Sequence, residues 1–295
     1  MHLKQLRKYA GIETSIVKPY PKGDENGWPG WQFNLKADEG TDAWYEGSTV
    51  DLILGSKFMH EVYFKADKGY KGRYTVPVLW DKKLQTIVNN ESAELLRDLP
   101  TAFDSLLPAE LTNLSLYPEA LQSEIDTISV WMQRDLNTGV YKAGFAPDQA
   151  TYEKNLPPVF AALNKLEAIA HGKGPYVLGS TMTELDIRAY ATLIRFDTVY
   201  VQHFKCNLGM IRYSYPVLQN WLKGLYWDHA EFRDTTDFRH IKENYTKSHF
   251  DINPKAITPV GPWPDIDQGF ESDWSKLKPG RITMPEVLEY EKQLG

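Results

Sequence analysis

Two short motifs of this sequence carry groups that can hold a small peptide. Val76 precedes Pro77 within a predicted strand, and Glu91 and Ser92 open a predicted helix. Because proline cannot donate to a sheet ladder, the pattern predicts a cis Val76-Pro77 bond at a turn. The residue before a cis proline can present its backbone N–H and C=O groups to a peptide. A helix start presents N–H groups and a positive dipole end to an anion.

Glutathione fits both motifs, since it has a carboxylate and an ammonium group at one end and an amide backbone beyond them. The Ser92 hydroxyl can donate to the γ-glutamyl carboxylate, and Glu91 can accept from the ammonium group. The alternative interpretation is an ordinary hairpin followed by a capped helix, and the pattern alone leaves both open.

The single cysteine, Cys206, is interpreted as a small packing residue of a predicted helical region and not as a nucleophile. One cysteine excludes an intrachain disulfide, which favours a reducing, cytoplasmic location. His203 and Cys206 have a metal-like spacing, but two ligands without further cysteine or clustered histidine do not make a zinc site. We therefore predict no metal.

The composition is typical of a soluble globular protein with one large or two modest domains. The chain has 295 residues, of which 42% are hydrophobic and 24% charged, and a net charge of −6. This charge argues against nucleic acid or an anionic membrane as the main partner. No window approaches the roughly 20 apolar residues of a membrane span, and the N-terminus has no apolar signal-peptide stretch. The 9 Trp and 17 Tyr residues favour pockets for flat organic ligands.

The first hundred residues alternate between helical and strand patterns. A helix over the first ten residues is followed by a strand at 14–17 and by a loop at 20–50 that is rich in Gly, Pro and acidic residues. The later predicted elements are a helix at 52–64, strands at 74–80 and 86–88 that form a hairpin, and a helix from 89 to 96.

Beyond a proline-containing linker at 100–118, the pattern is almost entirely helical. Helices are predicted at 119–136, 147–171, 184–207 and 215–225, followed by an extended, Pro- and Gly-rich tail with a short helix near 284–293. Thr183 and Asp186 have the spacing of a capping box. The order of elements therefore predicts an α/β region followed by an all-α region.

Long motifs of the chain resemble the glutathionyl-hydroquinone reductases, the omega-like Xi class of the glutathione S-transferase superfamily. The resemblance covers nearly the whole chain in the right order. It is carried by Gly72-Arg73-Tyr74-Thr75-Val76-Pro77 through 83, by 86–92 with Asn89-Asn90-Glu91-Ser92, by 139–146 with Gly139-Val140-Tyr141, by 193–207, and by 240–254 with His240-Ile241-Lys242 and Tyr245.

The resemblance implies a fold and a function. The fold is an α/β thioredoxin-like glutathione-binding domain at 1–99, a linker at 100–118, an all-helical C-terminal domain at 119–250 and an extended tail at 251–295. The activity is glutathione-dependent reduction of glutathionylated hydroquinones by a homodimer, with glutathione as co-substrate.

By motif, the resemblance assigns two groups of residues. Trp31, Arg73, Val76, Glu91 and Ser92 hold glutathione, with Trp28 as a rival for the role of Trp31. Three phenols that can hydrogen-bond a quinol oxygen line the acceptor site and assist catalysis: Tyr141, Tyr200 and Tyr245.

One feature of the family has no counterpart in the sequence. The family takes the glutathionyl group on a cysteine in a Cys-Pro-Trp-Ala-like motif, on a strand and turn before the helix with which this chain begins. We expect the N-terminal domain to be incomplete, and two explanations stay open: a truncated or mispredicted sequence, or a natural relative that lost reductase chemistry.

Three functions remain as alternatives. The first is a thiol-type transferase that removes glutathione from aromatic conjugates. The second is weak glutathione conjugation assisted by Tyr141 or Tyr245. The third is a non-catalytic protein that binds glutathione and aromatic ligands.

Overall fold

The structure, a computed structural model, describes residues 11–20, 27–28, 30–112, 114–267 and 269–294, without the side chain of residue 111. The helix predicted for the first ten residues lies outside this description. The chain divides into two compact units: the first unit contains Met1–Leu114 and Asp237–Phe250, and the second contains Ser115–Thr236 and Asp251–Gly295. The prediction of domain boundaries at 99, 118 and 250 remains a prediction.

The first unit contains a helix, the two strands of a short antiparallel hairpin and a second helix, in this order along the chain. They are helix α1 (Met59–Ala66), strands β1 (Leu79–Asp81) and β2 (Thr86–Asn89), and helix α2 (Ser92–Asp98). Trp80 pairs with Ile87 in the hairpin, whose turn is held by the Asp81 carboxylate accepting from the N–H groups of Lys83 and Leu84 at 2.7 and 2.9 Å. The predicted hairpin is confirmed, but its first strand begins at Leu79 and not at 74 as predicted.

Two further predictions for the first unit are wrong in detail. Helix α1 begins at Met59 and not at 52, because the Asp51 carboxylate accepts from the N–H groups of Ile53 and Leu54 and holds this segment in a turn. Residues 14–17 form no strand, since their backbone makes only isolated bonds, such as that from Thr49 N–H to the Ile16 carbonyl at 2.8 Å.

The core of the first unit lies between α1 and the hairpin. Phe33, Met59, Val62 and Tyr63 are buried together, and the half-buried side chains packed around them include Trp31, Tyr74, Trp80 and Ile87. The described part of the long predicted loop is ordered by Asn34, whose buried amide donates to the carbonyls of Tyr45 and Ser48, both at 2.9 Å. The unit also contains helix α10 (Phe238–Ser248), counted with the helices below.

The described elements of the second unit are helical. In chain order the helices are α3 (Gln122–Trp131), α4 (Gly139–Gly144), α5 (Gln149–Lys173), α6 (Glu184–Arg195), α7 (Ile211–Ser214), α8 (Pro216–Asp228), α9 (Ala230–Asp234) and, after α10, α11 (Pro285–Glu291). Two π-helical segments interrupt the regular helices: Met132–Asn137 follows α3, and Phe196–Tyr200 follows α6. The helix predicted at 184–207 therefore ends early.

Buried carboxylates organise the second unit. Asp186 completes the capping box with Thr183, as predicted, and also accepts from the Trp221 indole at 3.1 Å. Glu167 on α5 accepts from Val217 N–H at the start of α8 and from Gly280 N–H of the C-terminal segment, at 2.9 and 3.0 Å. The segment predicted as an extended tail is thus fastened to α5.

None of the helices in the described part of the chain combines the length and apolar character needed to cross a membrane.

Candidate functional site

The Val76-Pro77 peptide bond is cis, as the sequence predicts. Val76 is 39% exposed, so a ligand can reach this residue. The preceding residue, Thr75, is held by the buried Tyr63 of α1, whose hydroxyl donates to the Thr75 carbonyl at 3.0 Å. The core of the unit therefore fixes the segment that leads into the cis bond.

A second hydrogen-bond set joins this segment to the start of α2. The Asn90 amide donates to the Tyr63 hydroxyl at 3.1 Å and to the Thr75 hydroxyl at 3.2 Å. Asn90 directly precedes Glu91 and Ser92. We call Tyr63, Thr75 and Asn90 the polar clamp. It places the residue before the cis proline and the first residues of α2 beside one another, although Tyr63 and Asn90 are 27 residues apart in the chain.

Glu91 and Ser92 are exposed where α2 begins. Glu91 is the N-cap residue, its carbonyl accepts from Leu95 N–H at 3.0 Å, and its own N–H donates to the Asn89 side chain at 2.7 Å. The first N–H groups of a helix have no intrahelical acceptor. This arrangement offers backbone donors, a hydroxyl and a carboxylate to an exposed ligand.

The other residues assigned to glutathione have mixed surroundings. Arg73 is exposed, and its carbonyl accepts from the Tyr70 hydroxyl at 3.0 Å. Trp31 is half-buried against the core, and its carbonyl accepts from Met59 N–H at 2.8 Å. Its rival Trp28 is 45% exposed and packs edge-on against Phe64. The structure brings together Thr75 and Asn90, the residues that precede Val76 and Glu91. The choice between Trp28 and Trp31 remains a prediction.

The three predicted acceptor tyrosines belong to different units. Tyr245 lies on α10 in the first unit, is 4% exposed and meets His249 edge-on. Tyr141 on α4 and Tyr200 in the π-helical segment lie in the second unit, with ring centroids 6.1 Å apart. Tyr141 is 37% exposed and Tyr200 only 2%. Of this pair, Tyr141 is the ring that a ligand can reach.

An aromatic cluster surrounds the Tyr141–Tyr200 pair. Phe204 is fully buried and stacks parallel to Tyr200, with centroids 5.5 Å apart and ring planes within 1°. Tyr141 and Phe145 contact the same ring at centroid distances of 5.1 and 5.3 Å. We call Tyr141, Phe145, Tyr200 and Phe204 the aromatic cluster. The Tyr141 hydroxyl and the exposed ring faces of the cluster suit a phenolic ligand.

The two π-helical segments are close in sequence to this cluster, and sequence periodicity did not reveal them. One ends two residues before α4, and the other contains Tyr200. An extra residue in a helical turn shifts the face on which later side chains lie, and such segments are frequent at functional sites. Sequence reasoning also assigned no role to Phe145, Phe204 or the polar clamp, although Phe145, Phe204, Thr75 and Asn90 lie within the family motifs and only Tyr63 lies outside them.

Cys206 is a packing residue, as interpreted from the sequence, but it is fully buried and not half-buried as expected. Burial raises the pKa of its thiol to about 12 from an ordinary value near 9.0. Because the thiolate is the nucleophile, burial and the raised pKa make Cys206 a poor nucleophile at neutral pH. Its neighbour His203 packs against Phe204. Across the described residues, no group of three or more His, Cys, Asp or Glu side chains is placed to hold a metal ion.

Comparison with known proteins shows which family of proteins the chain is similar to. Residues 149–224 match the family model of the glutathione S-transferase C-terminal domain. The chain is 46% identical to glutathione S-transferase omega-like 2 of Schizosaccharomyces pombe over 89% of this chain and 81% of that protein. It is 42% identical to the glutathionyl-hydroquinone reductase YqjG of Escherichia coli, over 89% of this chain and 76% of the relative.

Solved structures agree in fold. The Xi glutathione transferase ECM4 from Saccharomyces cerevisiae, in complex with glutathione, superposes with a TM-score of 0.79 at 38% identity, over 90% of this chain and 89% of that one. The α/β thioredoxin-like region and the helical C-terminal region are those of Xi-class structures. The chain belongs to the glutathione S-transferase family, among its omega-like, Xi-class members.

Proposed function

We propose that this chain binds glutathione and acts on glutathionylated aromatic molecules of the hydroquinone type. The observation that carries the proposal is the polar clamp, which holds the cis Val76-Pro77 bond beside the start of α2. The names of two relatives support it: one is a glutathionyl-hydroquinone reductase, and one was solved with glutathione.

In this proposal the peptide lies along the exposed backbone at Val76. The Val76 N–H and C=O groups pair with the cysteinyl amide of glutathione. The Ser92 hydroxyl and the first N–H groups of α2 hold the γ-glutamyl carboxylate, and Glu91 accepts from the ammonium group. Arg73 attracts a carboxylate of the peptide, and Trp31 packs against it.

Tyr141, Tyr200 and Tyr245 serve the aromatic part of the conjugate. The phenol of Tyr141 donates to a quinol oxygen, since this ring is the most exposed of the three. Tyr200 supports Tyr141 from within the aromatic cluster. Tyr245, on α10, is the third phenol that the proposal assigns to this role.

The reductive reaction needs a thiolate that attacks the sulfur of the glutathionyl group. The carbon–sulfur bond then breaks, the aromatic carbon takes a proton, and a mixed disulfide forms. A second glutathione thiolate cleaves that disulfide, so that one conjugate and one glutathione give one hydroquinone and one glutathione disulfide. Cys206, the single cysteine of the sequence, is too deeply buried and too weakly acidic for the first attack.

This observation favours a second candidate function, a carrier of glutathione and aromatic conjugates without turnover. The two functions share both binding sites and differ only in the thiol step. Weak conjugation of electrophiles is a further candidate function that needs no protein thiol. In it, Tyr141 or Tyr245 donates to the glutathione sulfur.

One assay separates these functions. The 295-residue chain is incubated with 2-(glutathion-S-yl)hydroquinone and glutathione, and hydroquinone and glutathione disulfide are measured. Release of both in equal amounts supports the reductase. Saturable binding without turnover supports the carrier. Absence of binding to both glutathione and the conjugate overturns the proposal.

We also propose that the protein acts as a cytoplasmic homodimer. The single cysteine and the resemblance to dimeric enzymes support this. Light scattering on purified protein tests the homodimer, and a monomer at micromolar concentration contradicts it. The net charge of −6 argues against nucleic acid as a partner.

A further inference from the structure

We propose that Phe145 is a specificity-determining residue, which forms with Tyr141 the surface on which the aromatic ring of the conjugate lies. The inference rests on the proposed function and adds a residue and a ligand geometry to it. It is carried by the aromatic cluster of the second unit and needs no contribution from the glutathione-binding residues.

The spacing of the two residues places them on the same side of one helix. Phe145 is the C-cap residue of α4 and follows Tyr141 by four positions, and side chains four apart on a helix are neighbours. Phe145 N–H donates to the Tyr141 carbonyl at 2.9 Å, so the helical geometry extends to Phe145. Both rings are therefore fixed by the same short helix.

The exposure of the two rings sets them apart from the rest of the cluster. Tyr141 is 37% exposed and Phe145 is 38% exposed, whereas Tyr200 and Phe204 are buried. Each exposed ring contacts the Phe204 ring, at centroid distances of 5.1 and 5.3 Å. One buried ring thus supports two rings that still face solvent.

The Phe204 ring gives rigid support because it packs closely against Gly144. A methyl group at Gly144 would overlap the Phe204 ring and lie 2.7 Å from the Phe204 Cβ. Phe204 is held on its other side by the parallel ring of Tyr200. The close approach of α4 to Phe204 leaves Tyr141 and Phe145 little freedom to sink into the core.

Two half-exposed rings on a rigid support match a flat aromatic ligand with at least one hydroxyl group. The phenol of Tyr141 provides a hydrogen bond, while Phe145 provides only an apolar ring for stacking. Phe145 therefore selects for the ring of the conjugate and adds little to the binding of glutathione alone.

The test compares two ligands by titration calorimetry on the full chain: glutathione and 2-(glutathion-S-yl)hydroquinone. We expect Phe145→Ala to weaken binding of the conjugate about tenfold and Phe145→Leu about threefold, as loss of an aromatic contact predicts. Binding of glutathione should stay within about twofold in both variants. Tyr213→Ala, which removes a ring that is 78% exposed in the same unit, is the matched control.

Each outcome decides a different point. An unchanged affinity for the conjugate in both variants overturns the inference while leaving the proposed function intact. Equal weakening for both ligands also overturns it, because Phe145 would then affect the whole protein. If the unaltered chain binds neither ligand, the proposed function and the inference fall together. The Leu variant retains an apolar side chain, so it tests the role of the ring should the Ala variant fold poorly.

Discussion

The polar clamp of the first unit and the aromatic cluster of the second unit position functional groups by different physical means. The clamp joins segments that are distant in sequence through hydrogen bonds among the buried Tyr63 hydroxyl, Thr75 and Asn90. The groups that it positions are backbone atoms and short polar side chains. The cluster positions rings by contact with one buried phenylalanine. The first arrangement should be sensitive to lost donors and acceptors, and the second to changes of volume.

The largest effect is expected from added volume in the aromatic cluster. Gly144→Ala places a methyl group against the buried Phe204 ring, so we expect the free energy of unfolding to fall by about 1–3 kcal/mol. Urea denaturation measures this change. Gly172→Ala is the matched control, because that helical glycine has no atom within 4 Å of the added methyl group. The control should be neutral or slightly more stable.

The same comparison can be sharpened with a second substitution. If overlap with the ring is the cause, Phe204→Leu combined with Gly144→Ala should cost less than the sum of the two single changes. Strict additivity, or an unaltered stability of Gly144→Ala, would show that the packing around Phe204 is looser than the structure indicates.

The next effect is expected from the polar clamp. Asn90→Ala removes both amide donors to Tyr63 and Thr75, and we expect the dissociation constant for glutathione to rise about tenfold. Calorimetry measures it. The affinity for the conjugate should fall by the same factor, since the conjugate contains the same peptide. The Phe145 substitutions should instead weaken binding of the conjugate and leave binding of glutathione unchanged.

A smaller effect is expected from Tyr63→Phe, which removes one hydroxyl and keeps the ring. Glutathione affinity should fall about threefold to fivefold, because the Thr75 carbonyl loses a donor. Tyr74→Phe, on a ring that packs 5.6 Å from Tyr63, is the matched control and should change affinity by less than twofold. Equal effects of the two substitutions would contradict the proposed role of the polar clamp in positioning the glutathione site.

The smallest effect is expected at Cys206. Because burial raises its pKa to about 12, the thiolate fraction at pH 8 should be on the order of one in ten thousand, so iodoacetamide should label the folded chain far more slowly than the urea-unfolded chain. Mass spectrometry follows the labelling. Cys206→Ser should leave glutathione binding unchanged. Rapid labelling of the folded chain would restore Cys206 as a candidate nucleophile.

The sequence could predict those structural features whose causes lie within a few residues of one another in the chain. The cis bond follows from a proline inside a strand pattern, and the capping box follows from the spacing of Thr183 and Asp186. The start of α1 was predicted too early, because hydrophobic spacing does not show that Asp51 holds the preceding turn.

The candidate site was less predictable, since its positioning residues act across long separations. Tyr63 meets Asn90 only because α1 packs against the hairpin, and Gly144 meets Phe204 only because the helices of the second unit pack closely. The π-helical segment that contains Tyr200 has no periodic signal that separates it from a regular helix. The roles assigned to Trp31, Arg73, Val76, Glu91 and Ser92 remain predictions.

Titration of glutathione into the full chain and into the double variant Glu91→Gln, Ser92→Ala tests the central claim most directly. Glu119→Gln with Ser123→Ala, an exposed pair near the start of α3, is the matched control. The account predicts saturable binding to the unaltered chain and to the control, and a dissociation constant at least about tenfold higher for the double variant. Equal affinities in all three proteins, or no binding to the unaltered chain, would contradict it.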